Sequence, residues 1–487
     1  MLALFFFEGG NEMKDIVIIG AGIIGSFLAY DLSRYELDIA LIERCQDVGC
    51  GATKANSAIV HSGHDPKEGT LKAKLNVKGN RMYESICRTL GCHYEKTGAY
   101  VLACGLEEEK TVKTLYHQAR HREIECALHL RDEILKKEPH LSDEVTLGLY
   151  LPTTAIITPW EVAISLVENA VVRGCELQLG TEVQQIEKIE KGYRVHTSRG
   201  YIDTKMIINC AGVFADEIAK MLNHETDLFI RPRRGEYFVL DHQKEPIVSS
   251  VMYPVPSEKG KGVLLVPTIH KNLLLGPTSD FIDEKDDVST TASGLDYVRS
   301  QVGKLVKAIP MDKVIRTFSG NRPVGTTGDF ILKEDEHHPC VIHAAAIESP
   351  GIASAPAISQ YVIETLVSKR IDLLEKKELP EIVTRPKSLN ELSEHERIEK
   401  IRQASRYGHI DCRCEKISEG EIVEAVHRIV PAATIGAIKR RLRPGMGRCQ
   451  GGFCEPVLVK ILAQQLNCSV MDILMEETGS QILVSKR

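Results

Sequence analysis

Two short apolar runs, with a further apolar stretch between them, dominate the hydrophobic pattern near the start of the chain. Residues 16–19 are consecutive β-branched residues, as in a strand that is buried on both faces. The stretch 26–32 predicts a helix, and residues 39–42 predict a second buried strand. Strand, helix and strand in this order predict a parallel sheet covered by helices, so the expected fold class is α/β.

The turn between the first strand and the helix carries three glycines with the spacing G-x-G-x-x-G, namely Gly20, Gly22 and Gly25. Glycines at these places allow a tight turn, the close approach of a pyrophosphate and close packing of the helix on the strand. Glu43 ends the second strand, where a carboxylate can receive ribose hydroxyls. Together these elements predict a site for an adenine dinucleotide.

The composition describes an ordinary protein of two or three domains. Among its 487 residues 43% are hydrophobic and 26% charged, and the net charge of −6 argues against a nucleic-acid partner. No stretch approaches the roughly 18 apolar residues that cross a membrane. Most of the cysteines are scattered singly, which favours a reducing, cytoplasmic compartment.

The apolar start 1–7 is too short for a signal peptide, so Met13 rather than Met1 is the expected first residue. A hydrophobic contact of this segment with a partner or membrane is the alternative.

Four cysteines near the end of the chain form a C-x-C pair and a C-x4-C pair, Cys412 with Cys414 and Cys449 with Cys454. Thiolates are soft ligands, so a zinc ion or an iron–sulfur cluster is expected, and four unrelated thiols are the alternative. The glycine-rich run 445–452 favours a cluster, because glycines let backbone N–H groups approach the sulfurs. This segment resembles the bacterioferritin-associated-ferredoxin-like [2Fe–2S] domain, which implies that the four cysteines bind a [2Fe–2S] cluster.

The small-residue loop 49–63, which follows Glu43, resembles the flavin-contacting loop of the D-amino-acid-oxidase-like flavoproteins. A glycine-rich connection without a ligand is the alternative for this loop. Within that superfamily, 56–63 and 69–75 most resemble the L-2-hydroxyglutarate oxidase and anaerobic glycerol-3-phosphate dehydrogenase group. Three later segments match the superfamily in order: 181–183, 206–216 and 347–356. The resemblance implies FAD as a cofactor, bound by the glycine turn, by Glu43 and by a further set of residues. These are Thr53, Asn56, Ser57, Val183, Ala211, Gly212, Gly351 and Ile352.

The same resemblance implies a Rossmann-like FAD-binding domain with an inserted antiparallel-sheet substrate domain, followed by a small helical [2Fe–2S] domain. The FAD-dependent part is expected at 14–384, and the charged stretch 385–403 predicts a solvated linker before the cysteine domain at 404–487. The expected subdivisions are FAD-binding parts at about 14–84, 151–220 and 325–370, and substrate-domain parts at about 85–150 and 221–324. In the cysteine domain, Ser418 and Glu421 predict a capping box that opens a helix over 421–430.

Oxidation of an alcohol by a flavin needs a base for the hydroxyl proton, and His61 in the flavin loop or His270 after a substrate-domain strand could serve. A purely structural histidine is the alternative for each. The resemblance places Arg322 near an anionic substrate. Tyr253 resembles a tyrosine near the flavin, with core packing as the alternative. Arg231, Arg233 and Arg234 are second-choice ligands for the substrate anion. A solvated run of charged side chains is the alternative for these three arginines.

The resemblance implies an enzyme that oxidises sn-glycerol 3-phosphate to dihydroxyacetone phosphate. L-2-hydroxyglutarate is the closest alternative substrate; an amine oxidase and a non-catalytic electron-transfer subunit are weaker alternatives. A two-electron flavin beside a one-electron cluster implies that electrons pass to a second redox protein or a quinone-linked subunit. We therefore expect a cytoplasmic protein, with attachment to the inner membrane face through a partner as an option.

Overall fold

The computed structural model describes residues 13–256 and 262–485. The apolar start 1–7 therefore lies outside the described residues, and Met13 rather than Met1 as first residue stays a prediction. The predicted α/β class is confirmed, because two large sheets and their helices are followed by a small helical domain at the C-terminus. In the described part of the chain, no helix is long and apolar enough to cross a membrane.

The first sheet contains the predicted buried strands at its centre. Ile16 lies opposite Ile39 on one side and Met206 on the other, and both pairings are parallel. In spatial order the strands are Val183–Ile189, Gly192–Thr197, Gly200–Asn209, Lys14–Ile19, Ile39–Ile42 and Glu176–Gln178. Val341–Ala345 also pairs with Gly200–Asn209, and Ile331–Glu334 pairs with Val341–Ala345. Because the β-branched side chains alternate between the two faces, each face of the sheet has its own core.

Four helices cover one face of this sheet: Ile23–Leu32, Leu71–Leu90, Pro159–Val172 and Gly351–Thr365. Two of them cross closely at Gly79, where a Cβ atom would lie 2.1 Å from the carbonyl oxygen of Ala353. The helix Ala215–Leu222 packs on the other face through Ile218. The close crossing explains why a glycine stands in the middle of a long helix, where it otherwise costs stability.

The second sheet has nine strands and is not purely antiparallel as predicted. Val251–Pro254 runs parallel to Ala99–Ala103, and every other pairing of the sheet is antiparallel. The parallel pair joins two separate stretches of the chain, so no hairpin forces the strands to run in opposite directions. In spatial order the strands are Asp280–Phe281, Ile230–Leu240, Leu273–Gly276, Leu264–Pro267, Val251–Pro254, Ala99–Ala103, Leu147–Leu151 and Ala127–Leu130, with Val314–Gly325 also beside Ile230–Leu240.

Shorter elements complete this part of the molecule. A three-stranded sheet includes the end of the flavin loop, and three further helices belong to the region of the second sheet. The short strands are Ile59–Val60, Ala155–Ile157 and Tyr94–Glu95, and the helices are Leu106–His121, Arg131–Lys137 and Ala292–Val302.

The C-terminal domain, residues 404–485, is a helical unit with its own core. A short hairpin, Ile410–Cys412 with Ile417–Ser418, precedes the helices Glu419–Val426, Ile435–Leu442 and Glu455–Leu466. The predicted capping box is present, since the Ser418 hydroxyl accepts from the Glu421 N–H. The helix begins at Glu419 and ends at Val426 rather than spanning 421–430, because Ser418 itself is the N-cap.

The segment 385–403 is less solvated than predicted. Its helix Glu394–Gln403 has no buried residue, as expected for an exposed segment. The part before that helix packs on both neighbours: Arg385 donates to the carbonyl oxygen of Gly91, and the N–H of buried Leu389 donates to Glu421. The segment therefore connects the two parts of the molecule through specific contacts.

Candidate active site

A single cavity of 2030 Å³ extends from the glycine turn, past the flavin loop, to the second sheet. It brings together nearly all residues predicted to bind the cofactor; of these, Gly25 alone does not line it. His61, His270 and Arg322 also line the cavity, whereas Tyr253 does not. The predicted cofactor residues on its walls are Gly20, Gly22, Glu43, Thr53, Asn56, Ser57, Val183, Ala211, Gly212, Gly351 and Ile352.

The glycine turn leaves space for a ligand at one of its three glycines. Gly20 has a φ of +101°, and a Cβ there would lie 2.6 Å from the carbonyl oxygen of Cys210. A Cβ on Gly25 would lie 1.9 Å from the carbonyl oxygen of Gly20, so both glycines are required by the fold. A Cβ on Gly22 would meet only the Thr53 hydroxyl, at 3.4 Å. The turn therefore has the open backbone that a pyrophosphate needs.

Glu43 and Thr53 tie the neighbouring loops to this turn. One carboxylate oxygen of Glu43 accepts from the Ala21 N–H at 2.8 Å, and the other accepts from the Cys45 N–H at 2.9 Å. The Thr53 hydroxyl accepts from the Ile23 N–H at 2.9 Å. A carboxylate has further lone pairs, so Glu43 can still accept from ribose hydroxyls in the cavity.

Asn56 has a role that the sequence did not indicate. Its amide nitrogen donates to the carbonyl oxygens of Ala52 and Thr53, and its amide oxygen accepts from the Ala58 N–H. The side chain is thus occupied in shaping the flavin loop. The loop also packs against the second sheet at Gly320, where a Cβ would lie 2.1 Å from the carbonyl oxygen of Ala55.

His61 lies at the end of the flavin loop and is held from two sides. Its Nδ1 is 2.8 Å from the hydroxyl of Tyr253, and its backbone carbonyl accepts from the Asn76 amide at 2.7 Å. Burial raises the pKa of Tyr253 well above its usual range, so the phenol stays neutral. The buried Tyr253 therefore stands behind the imidazole of His61 rather than on the cavity wall.

His270 occupies another part of the same cavity. Its ring lies 5.7 Å from the ring of His93, and burial, with Arg443 nearby, lowers the pKa of His270 to about 2. The residue is therefore neutral at any ordinary pH. His61 pairs with Tyr253, whereas His270 lies beside His93, so the two candidate bases have different neighbours.

Arg322 lies on the strand Val314–Gly325 and is held by backbone carbonyls. It donates to the carbonyl oxygen of Thr278 at 2.6 Å and to those of Arg233 and Arg234 at 3.2 Å. Burial lowers the pKa of Arg322. Within the described residues, no carboxylate forms an ion pair with this guanidinium, so its charge remains available to an anion in the cavity.

The second-choice arginines differ in their surroundings. Only Arg231 fits a solvated charge run, since its side chain is half exposed. Arg234 is ion-paired with Asp287, and Arg233 is ion-paired with Glu348. Glu348 also pairs with Lys72 at 2.8 Å. Sequence reasoning did not single out Lys72 or Glu348 as site residues, although both stand inside segments that carry the family resemblance.

The four cysteines of the C-terminal domain converge as two pairs. The sulfurs of Cys414 and Cys449 are 3.6 Å apart. Cys412 and Cys454 are buried, and a hydrogen bond between their thiols lowers the pKa of Cys412 to about 6. Among the described residues, no three His, Cys, Asp or Glu side chains are arranged around a single metal position. Two thiol pairs suit a two-iron cluster better than one zinc ion.

Backbone N–H groups approach these sulfurs as the glycine-rich run predicts. Cys449 accepts hydrogen bonds from the backbone of Gly451 and Phe453, and Cys412 from that of Gly445. Gly445 has a φ of +77° and Gly451 of +93°, conformations that favour glycine. The loop can therefore place dipoles around an anionic cluster.

The C-terminal domain forms part of the cavity wall. Lys439, Arg443 and Gln450 line the cavity, and Gln450 directly follows Cys449. Buried Asp47 of the first sheet's loops pairs with Arg440 and Arg441 of the C-terminal domain. The cysteine centre is thus fixed beside the cavity that contains the proposed flavin site.

Comparison with known proteins agrees with this geometry. Residues 15–365 match the FAD dependent oxidoreductase family, and residues 411–464 match the BFD-like [2Fe-2S] binding domain. The chain therefore belongs to the family of FAD-dependent oxidoreductases, and its cofactors are FAD and a [2Fe–2S] cluster, as predicted.

Three similar proteins define its relationships more closely. The chain is 45% identical to a glycerol 3-phosphate dehydrogenase of Caloramator mitchellensis, over 97% of this chain and 98% of the relative. The solved structure of dithionite-reduced L-α-glycerophosphate oxidase from Mycoplasma pneumoniae with FAD bound has a TM-score of 0.73 and 28% identity, covering 77% of this chain and all of that one. An L-2-hydroxyglutarate dehydrogenase of Escherichia coli (strain K12) is 30% identical over 55% of this chain and 64% of the relative.

Proposed function

We propose that this protein oxidises sn-glycerol 3-phosphate at C2 to dihydroxyacetone phosphate and passes the electrons through its cluster to a separate redox acceptor. The observation that carries this proposal is the 45% identity to a glycerol 3-phosphate dehydrogenase over nearly the whole of both chains. That match spans the cavity and the cysteine domain together. The match to an L-2-hydroxyglutarate dehydrogenase is shorter and weaker, at 30% identity over 55% of this chain.

His61 is the proposed base. When bound, FAD accepts the hydride from the alcohol carbon, and the cluster passes electrons on singly. The hydroxyl proton of the substrate must then go to a group on the cavity wall. If Nδ1–H of His61 donates to the Tyr253 hydroxyl, the other ring nitrogen is the basic one, so Tyr253 selects the useful tautomer. His270 is the second choice, because burial lowers its pKa to about 2 and makes its imidazole a weak base.

Arg322 is the proposed ligand of the substrate phosphate. Its guanidinium is already oriented by three carbonyl oxygens, so little conformational freedom is lost on binding. Arg233 and Lys72 stand near it but share the carboxylate of Glu348, which makes them poorer partners for an added anion. A dicarboxylate would also need cations, so L-2-hydroxyglutarate remains the comparison substrate in any test.

The acceptor is proposed to be a second redox protein or a quinone-linked subunit. The cluster domain supports this, because a one-electron centre beside a flavin is suited to transfer between proteins. We propose that the enzyme works in the cytoplasm and reaches the inner membrane face, where needed, through a partner.

Anaerobic flavin bleaching tests the function directly. The purified protein with FAD and reconstituted cluster is mixed separately with glycerol 3-phosphate and with L-2-hydroxyglutarate, and the absorbance at about 450 nm is followed. Bleaching by the phosphate alone supports the proposal. Bleaching by the hydroxy acid alone would identify L-2-hydroxyglutarate as the substrate. Bleaching by neither compound would indicate a non-catalytic subunit or another electron donor.

A further inference from the structure

One side of the cysteine centre is exposed to solvent and carries an unpacked aromatic residue. Cys412 and Cys454 are buried, whereas Cys414 is exposed. Phe453, which directly precedes Cys454, is 83% exposed. The core of the domain is built without it, from residues such as Leu458 and Leu462 of the following helix. Phe453 therefore has no evident role in stabilising the domain.

The exposed residues around Cys414 are predominantly basic. Arg413 and Lys416 flank it on the hairpin, and exposed Lys460 lies in the helix Glu455–Leu466, which begins two residues after Phe453. Of the described residues, no carboxylate forms an ion pair with any of these three cations. We call this surface, formed by Arg413, Cys414, Lys416, Phe453 and Lys460, the cluster face.

The charge of the cluster face is opposite to that of the whole molecule. The chain has a net charge of −6, so a positive patch here is a local feature and not an average property. The opposite side of the cysteine loop faces inwards, since Gln450 lines the cavity. The cysteine centre therefore has one side towards the flavin region and another towards solvent, as an exit for electrons would require.

We propose that the cluster face is the docking surface for a small acidic protein that carries one electron. An acidic partner would be attracted by the three unpaired cations, and Phe453 would supply apolar contact at the centre of the interface. A small surface is sufficient, because electron-transfer encounters between proteins are weak and short-lived. The substrate that supplies electrons to the cluster through the flavin rests on the proposed function. The docking surface itself does not depend on which substrate is oxidised.

An anionic membrane is the other surface that such charges would attract. Membrane-bound helices present a broad apolar face, as well as basic residues. Here the apolar sides of the domain's helices are used in its own core, and its exposed large apolar side chains, Phe453, Ile410, Ile429, Leu483 and Val484, lie outside these helices. A protein partner therefore fits the cluster face better than a bilayer.

The electron count sets the stoichiometry of this transfer. Each secondary alcohol that becomes a ketone releases two electrons and two protons. Each carrier accepts one electron, so two oxidised carriers become two reduced carriers for each substrate, and the two protons pass to solvent. No further oxidant is needed.

The test uses full-length protein with both cofactors, reduced by dithionite and freed of excess reductant. Oxidised cytochrome b5, an acidic haem protein, is mixed with it in a stopped-flow instrument, and cytochrome c serves as a basic probe. We expect the rate for cytochrome b5 to fall as ionic strength rises. The Lys416→Glu/Lys460→Glu double variant should be at least about tenfold slower at low salt, because electrostatic steering raises association rates by 10- to 1000-fold.

The matched control is Lys136→Glu/Lys188→Glu, which makes the same change in net charge at exposed lysines outside the C-terminal domain. Phe453→Ala should also slow the reaction but leave its salt dependence unchanged. Iron and sulfide content is measured for each variant. If a variant loses its cluster, the salt dependence of the unaltered enzyme with the two cytochromes still decides the question.

Three results would overturn the proposal. One is a rate with cytochrome b5 that does not depend on salt; another is equal slowing by the control variant. The third concerns vesicles of 30% phosphatidylglycerol in phosphatidylcholine. The proposal would be wrong if the cluster-face substitutions weakened binding to these vesicles but left the cytochrome rates unchanged. Because dithionite supplies the electrons, an error in the substrate would leave these results unaffected and would appear only in flavin bleaching.

Discussion

Asp47 and Arg440 form a buried ion pair that joins the FAD-binding part to the C-terminal domain, with 2.8 Å between Oδ2 and Nε. Arg441 binds the other oxygen of the same carboxylate at 2.9 Å. Burial alone would raise the pKa of Asp47, but the two guanidinium groups hold it below its usual range. The carboxylate is therefore charged, and the position of the cysteine centre depends on it.

Replacing Asp47 by asparagine should separate flavin reduction from cluster reduction. The change leaves buried Arg441 without a carboxylate, whereas Arg440 keeps its pair with Glu476, and the lost pairing costs about 3–5 kcal/mol in unfolding free energy. We expect substrate to bleach the flavin at the normal rate, while the cluster signal in electron paramagnetic resonance appears more slowly. Asp203→Asn is the control, because it removes a carboxylate paired with Arg194 within the first sheet. Equal cluster kinetics in both variants would contradict a role for this ion pair.

Replacing Cys449 by serine should remove the cluster, because hydroxyl oxygen is a poor ligand for iron in such centres. Iron and acid-labile sulfide should both fall, whereas the FAD content should not change. Cys468→Ser is the matched control, since Cys468 is an exposed cysteine of the same domain outside the two thiol pairs. Iron and sulfide retained in the Cys449 variant would place the cluster elsewhere.

Replacing Arg322 by lysine should weaken substrate binding more than it slows the chemical step. Lysine keeps the charge but loses the planar set of donors. One or two lost charge-assisted hydrogen bonds correspond to about 1.5–3 kcal/mol, so the Kd for glycerol 3-phosphate should rise by about 10- to 150-fold. The Kd is obtained from flavin bleaching at varied substrate concentration. Arg231→Lys is the control on the neighbouring strand and should leave the Kd unchanged.

Replacing His61 by glutamine should slow flavin reduction by about 10²- to 10⁴-fold, the usual contribution of a general base. Substrate binding should change little, so the two effects can be separated by stopped-flow measurement at saturating substrate. Tyr253→Phe should have a smaller effect and shift the pH profile of the reaction, because it removes the group that orients the imidazole. If His270→Gln is the slower variant, the base has been assigned to the wrong histidine.

The contribution of His93 to stability should depend on pH. Hydrogen bonds with Glu161 and Glu391 raise the pKa of His93 to about 9 from its usual 6.5. A folded-state pKa above the unfolded one means that this stabilisation is complete below about pH 6.5 and is lost as the pH rises through about 9. Because the side chain is partly exposed, screening should limit it to about 1–2 kcal/mol. Thermal unfolding should be measured from pH 6 to 10 for the unaltered protein and for His93→Gln. The variant should not show this decrease in stability with rising pH.

Local features of the sequence were sufficient to predict the α/β class and the glycine turn. The β-branched run and the spacing of Gly20, Gly22 and Gly25 act within a few residues, and steric contacts of the glycines confirm that the fold requires two of them. The parallel pairing of Val251–Pro254 with Ala99–Ala103 could not be predicted in this way. Alternation of polar and apolar residues shows that a strand is half-buried but not which way its neighbour runs.

Contacts between distant residues account for the parts of the site that the sequence did not reveal. Asp47 and Arg440 are 393 positions apart, and neither residue type is unusual where it stands.

Asn56 was predicted to contact the cofactor because of the loop that contains it. Its three hydrogen bonds to the loop backbone show that an amide in a binding loop can also shape that loop, and contact with the cofactor stays a prediction.

The wall that the C-terminal domain adds to the cavity has a consequence for how the protein acquires FAD. The ribosome makes this domain after the FAD-binding part, so the cavity remains open on that side during synthesis. We therefore expect FAD to bind before Arg440 and Arg441 reach Asp47, and its later release to be slow while these ion pairs remain closed. The ion pair that sets the position of the cluster should therefore also retain the flavin, and loss of FAD on dilution should be faster when the pair is broken.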